Sequence, residues 1–405
     1  LPGLLIATCV TSYSHGVHTG GTGHGCSARV ASGGMNAHAE LAAALDDPVK
    51  LTGLLIDIES PSHHEGAIAD AVEAVLRDLD GVSVERTGDG GNTLVARTDR
   101  GLGQRVVLAG HLDTVPLADN TPHRLADGVL HGCGAVDMKS GLAVYLSAFA
   151  RLAGHPDLAR DMTFIAYEGE EVAVEYNGLG HVERDHPEWL AGDVALLGEP
   201  TGGMIEAGCQ GSIRVICTAR GTRAHSARAW LGDNAVHRLV PLLERVAAYT
   251  LRDRVDVDGC IYREGLNVVR LEAGVANNTI PDEAVCAVNF RFAPDRTAEE
   301  AMAHLREVLG EHEGVEITVD DVAPPAAPGL NAPAAAELVA AMGGRVRAKY
   351  GWTDVARFAE LGVPAVNLGC GDPGQAHKPE EHCPVEHITQ LAAALDGYLL
   401  GGQRA

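Results

Sequence analysis

Residues 105–116 read RVVLAGHLDTVP. Four consecutive apolar residues after Arg105 suit a strand buried on both faces, and His111 stands where that strand ends. On extended backbone His111 and Asp113, two residues apart, share a face. The carboxylate can therefore orient the imidazole and set its tautomer, although an H-x-D pair is equally readable as a surface pair. The same form recurs downstream. MTFIAY (162–167) runs into EGEE (168–171), and DVALL (193–197) runs into GEPT (198–201). Helix-like segments separate these strands, among them KSGLAVYLSAFARLAG (139–154), and VKLTGLLIDI (49–58) and IADAVEAVLRDL (68–79) precede them. Alternation of this kind predicts an α/β fold with a mostly parallel sheet and helices on both faces. Ligands of open α/β sheets gather outside the carboxyl ends of the strands, where these acidic and imidazole groups stand.

The pattern changes between residues 210 and 322. SIRVICTARG, LNVVRLEAG and EAVCAVNFRF read as strands, and NAVHRLVPLLERVAAYTL and AEEAMAHLREVLG read as helices. Two helices on a small antiparallel sheet form an α+β unit inserted into the first. The expected division is a first part over 35–209, an inserted unit over 210–322, and a second part over 323–405, entered through the proline-rich APPAAPGLNAP. A chain of 405 residues is too long for one core, in keeping with two domains. Residues 1–34 are expected to be a disordered extension, because Met35 opens a helical pattern and the preceding run looks like no folded element.

Lys+Arg 31 against Asp+Glu 55 gives a net charge of -24. Such a surface repels phosphate backbones and anionic lipid, so neither nucleic acid nor membrane is expected as a partner. No stretch approaches the roughly 20 apolar residues of a membrane span. The nine cysteines include no C-x-x-C pair and read as reduced, mostly buried thiols of a cytoplasmic protein.

Six positions are candidates for the chemistry. Besides His111, GAVDMKSG places Asp137 where a loop enters a helix, a position also suited to an N-cap. Glu170 and Glu171 are adjacent at a strand end, where two carboxylates repel unless a cation lies near. A metal is the economical answer, with one Glu as ligand and the other free to take a proton; a solvated turn is the plainer one. Glu199 ends another apolar strand, and GQAHKPEEH supplies His377 before the last helix.

Taken in order, H-L-D at 111–113, G-A-V-D-M-K at 134–139, E-E at 170–171, G-E-P-T at 198–201 and A-H at 376–377 resemble the two-zinc family of aminoacylases and carboxypeptidases. The resemblance covers residue 46 to the C-terminus. It implies two divalent ions per chain, zinc or cobalt, with His111 and Glu199 on one, Glu171 and His377 on the other, and Asp137 between them. It further implies a cis peptide at Asp137–Met138, Asp113 as the partner of His111, and Glu170 as general base. It makes the inserted unit a homodimerisation domain, from which His225 in TRAHSAR reaches the partner's site to stabilise the oxyanion. EVAVEYNGLGHV, RGTRAHSARAWLGDNAVH and GWTDVARF resemble a subgroup whose small-molecule N-acyl amino-acid substrate carries a carboxylate at each end. Arginine binds carboxylate in a planar fork, so Arg291 and Arg357 are the expected clamps, with Asn278 and Thr353 as polar contacts. The alternatives are another N-acyl amino-acid deacylase, a metallo-carboxypeptidase of the same family, or a metal-binding protein without hydrolytic activity.

Overall fold

The computed structural model describes residues 37–402; the segment 1–34 lies outside them. An eight-stranded sheet forms the larger body. Its order is Val82–Thr87, Thr93–Thr98, Asp161–Tyr167, Arg105–His111, Val194–Pro200, Ala365–Gly369, Ile205–Ala207 and Val346–Ala348. The four strands at its centre, from Asp161–Tyr167 to Ala365–Gly369, pair in parallel. Three of them therefore deliver His111, Glu170 with Glu171, and Glu199 to one edge of the sheet.

Apolar residues on both faces hold this centre in place. Val106 and Leu108 face a core with Phe164, Leu196, and Leu142, Leu146 and Phe149 of the helix Lys139–Leu152. Val107 and Ala109 face the opposite core, with Ile165, Leu197, Leu179, Val182 and Phe358. The alternation along one strand accounts for its unbroken apolar run, since each face has its own helical cover. The helices Pro48–Asp57 and Val385–Leu399 belong to the first core.

A close backbone approach links this packing to the site. Gly141, in the first turn of Lys139–Leu152, lies against Gly198, so that a Cβ on Gly141 would meet the Gly198 carbonyl. The approach sets the Asp137 turn beside Glu199. A Gly141→Ala substitution is expected to cost about 1–3 kcal/mol, the usual penalty of overpacking, read as a fall in the urea midpoint. An unchanged midpoint would show that helix and strand have room to part.

Between residues 211 and 323 a four-stranded antiparallel sheet forms, in the order Gly265–Ala273, Glu283–Phe292, Gly211–Arg220 and Val315–Ala323. Helices Ala235–Ala247 and Ala298–Leu309 pack their Leu239, Leu242, Leu305 and Leu309 on its Val215, Cys217, Cys286 and Phe290. The strands Val82–Thr87 and Val315–Ala323 were not expected. Both lie at sheet edges with charged residues on their solvent side, which hides the apolar signal. All seven cysteines among the described residues are free and buried. No helix among these residues is long and apolar enough to cross a membrane.

Candidate metal centre

His111 closes its strand fully buried, with Nε2 3.3 Å from one oxygen of Asp137. The other Asp137 oxygen lies 3.2 Å from Nε2 of His377. That same His377 nitrogen is 3.1 Å from Glu171. Asp137 thus turns one oxygen to each imidazole. Its turn precedes Lys139–Leu152 and contains a cis peptide bond, Asp137–Met138. Ligand atoms of His111, Asp137 and Glu199 all lie within 4.8 Å of one another, as do those of Asp137, Glu171 and His377. The two groups share Asp137 and form adjoining N/O pockets. His111, Glu170 and Glu171 make a third grouping of the same span, which places Glu170 beside both.

The electrostatics of the cluster favour positive charge among its carboxylates. Burial, then the charge of Asp137, lifts the Glu199 carboxyl to about 7 against the opposing pull of His111. Burial and Glu199 lift Glu170 well above the carboxylate range, and burial raises Glu171 as well. Burial opposes a charge on His111, yet Asp113 and Asp137 outweigh it and raise the imidazole. Asp137 raises His377 to about 9. Protons are thus retained where cations would serve. Deprotonated, four carboxylates face two neutral imidazoles, that of His111 buried and that of His377 exposed, an arrangement that divalent ions with N/O preference satisfy. The residues present fit two such ions.

Asp113 is fully buried and has a wider role than orienting His111. The imidazole Nδ1 lies 2.9 Å from the Asp113 backbone oxygen and 3.5 Å from its carboxylate. The carboxylate itself accepts the amides of Glu170 and Glu171, each at 3.0 Å, and the Ser62 hydroxyl at 2.8 Å. Burial works against its ionisation, but His111 and these donors prevail and hold its pKa near 2. Asp113→Asn would present an amino group to one of the two backbone donors. A fall in kcat of about 10–100-fold is expected, the range for groups that orient metal ligands, with little change in KM. Wild-type kcat in this variant would refute the positioning role.

The remaining expected residues stand apart. His225 is exposed, pairs with Thr279 across a two-residue ladder, and accepts the Ala227 amide at 3.1 Å. Asn278 is exposed beside it, its backbone oxygen bound to the Ser226 amide. Arg291 is half-buried on Glu283–Phe292, opposite Ser212 and Gly265. Thr353 is buried with its hydroxyl unpartnered. Arg357 departs from the expectation of a free clamp. Its guanidinium is held by Asp354 at 2.6 Å and Glu183 at 3.0 Å. Among the described residues, no hydrogen bond or ion pair joins these five to the cluster.

Two contributors were missed in the sequence. The Met138 sulfur accepts the His111 amide at 3.4 Å. Glu381, four residues beyond His377, is buried against the Asp137 turn. The only sequence signal for Glu381 is its place in a P-E-E run behind a candidate ligand.

Comparison with known proteins bears on the family and the fold. The model of peptidase family M20/M25/M40 matches residues 107–400. Succinyl-diaminopimelate desuccinylase of Corynebacterium glutamicum is 57% identical over 360 residues, covering 88% of this chain and 96% of its own length. A tripeptidase structure from Staphylococcus aureus shares the fold, with a TM-score of 0.72 at 19% identity, covering 90% of this chain and 98% of that one. The Bacillus subtilis YXEP protein, a dinuclear metal-binding peptidase of the M20 family, gives a TM-score of 0.61 at 15% identity over 90% of this chain and 98% of that one. With most of its length matched by the family model and more than half its residues shared with one full-length relative, the chain belongs to peptidase family M20/M25/M40.

Proposed function

We propose that the protein hydrolyses N-succinyl-LL-2,6-diaminopimelate to succinate and LL-2,6-diaminopimelate, a step of diaminopimelate and lysine biosynthesis, in the cytoplasm. The observation that carries the reading is the pair of N/O pockets sharing Asp137, with Glu170 alongside. The 57% identity to the Corynebacterium glutamicum desuccinylase supports the choice of substrate.

In this reading His111 and Glu199 would hold one divalent ion, Glu171 and His377 the other, and Asp137 would be shared by the two sites, zinc or cobalt suiting the donor set. Such ions polarise the scissile carbonyl and make water more acidic. Glu170 takes a proton from water as the water oxygen bonds to the amide carbon. The carbon–nitrogen bond then breaks, and Glu170 returns the proton to the departing amine. Burial and the neighbouring carboxylates raise the proton affinity of Glu170, which suits a group that must accept and then release a proton. Asp113 holds the Glu170 and Glu171 backbone through both changes.

The protein acts as a homodimer in this proposal, joined through the unit spanning 210–322. The exposed His225 then reaches the partner's site and donates to the oxyanion, with Asn278 next to it. Arg291 and Thr353 contact the substrate's polar ends. Arg357 does so only if substrate competes with Asp354 and Glu183.

Side-by-side turnover of N-succinyl-LL-2,6-diaminopimelate and N-acetylornithine tests the substrate. A preference of at least about 10²-fold in kcat/KM for the succinyl compound is expected, since a site built to bind a second carboxylate rejects an analogue lacking it. Preference for acetylornithine would replace this reading with the other deacylase activity.

A further inference from the structure

Glu381 lies on the segment that returns from the strand Ala365–Gly369 to the helix Val385–Leu399, and it is 2% exposed. One of its oxygens accepts the amides of Val136 at 2.8 Å and Asp137 at 3.1 Å. Its other oxygen accepts the amide of Gly134 at 3.1 Å. Its own carbonyl accepts the amide of Gly132 at 3.1 Å. Four bonds from a single residue therefore clasp the turn 132–137. No ion pair with a lysine or arginine is formed by this carboxylate among the described residues, although the buried Lys139 ammonium feels its charge. Its partners are backbone donors, and hydrogen bonds to an ionised acceptor are the strong kind. A glutamine there would keep one acceptor oxygen and turn an amino group toward an N–H.

The turn so held carries Asp137, whose oxygens face His111 and His377, and His377 lies on the same segment as Glu381. One buried side chain thus connects the shared carboxylate to the stretch supplying one of the imidazoles. We infer that Glu381 is a positioning residue for both cation pockets, setting Asp137 through its backbone amide. The inference rests on the metal-dependent reading above.

The test is calorimetric titration of Zn²⁺ into the chelator-stripped full chain, for wild type, Glu381→Gln and Glu381→Asp, with thermal unfolding of each metal-free form. Wild type is expected to take up two ions. In Glu381→Gln both associations weaken together by about 10–100-fold, the scale of partners that orient metal ligands. The metal-free unfolding temperature stays near wild type, and kcat falls while KM changes little. Glu381→Asp, one methylene short but still charged, recovers part of the affinity. Wild-type zinc affinity in a folded Glu381→Gln overturns the inference. If wild type itself takes up no ion, the metal-dependent reading fails, and the inference with it. Should the variants not fold, hydrogen exchange on metal-free wild type decides. Slow exchange at Gly134, Val136 and Asp137 supports the clasp, and unprotected amides there refute it.

Discussion

Replacing Glu170 with Gln is expected to lower kcat by about 10³-fold or more, within the range for loss of a general acid–base and equivalent to roughly 4 kcal/mol of barrier. Two metal ions per chain should remain, because His111, Asp137, Glu171, Glu199 and His377 are untouched. The fold should also persist. Burial and Glu199 already push the Glu170 carboxyl toward its neutral form, so a neutral amide of the same shape relieves the repulsion around Glu199. The separation of effects is the informative part. Metal content by elemental analysis and turnover should part company in this variant, and substantial residual activity would move the base elsewhere.

Asp137→Ala should behave in the opposite way, with metal and activity lost together. Asp137 is the one side chain present in both ligand groups, each oxygen turned to a different imidazole. Its loss leaves His111 with Glu199 and His377 with Glu171 as two incomplete pairs. Activity should fall by at least about 10²–10³-fold, the cost of removing one preorganised electrostatic element, and bound metal should drop below two per chain. Retention of both ions by Asp137→Ala would mean that the two pockets are independent. His377→Ala offers the contrast, since it touches only one group and should spare the His111 pocket.

Much of this was legible before any coordinates, and the exceptions share a physical cause. The central strands declare themselves because both faces are covered, giving runs such as VVLAG and ALLG whose last residues reach the site. Edge strands such as Val315–Ala323 expose polar residues, here Glu316, Thr318 and Asp320, and resemble loops in composition. The candidate carboxylates and histidines each have a plain reading in the sequence, as a surface pair, an N-cap or a solvated turn, and only the fold brings them within 4.8 Å of one another in groups of three. Backbone recognition was less legible still. Asp113 was visible as a partner for His111, yet its carboxylate lies closer to the amides of Glu170 and Glu171. Glu381 reaches amides 244 to 247 residues away, and nothing in Gly134, Val136 or Asp137 announces that an N–H needs a partner. Arg357 shows the converse. It reads as a free cation near the site, while Asp354, three residues earlier on the same turn, has already engaged it.

In the proposed function, succinyl-amide hydrolysis depends on ions held around Asp137. Stepwise addition of Zn²⁺ to chelator-stripped protein in the presence of N-succinyl-LL-2,6-diaminopimelate tests it most directly, with succinate and free diaminopimelate both quantified. No turnover is expected without metal, with recovery as ions are added and the two products released in equal amounts. Full turnover by the stripped protein, or none once both pockets are filled, would contradict it.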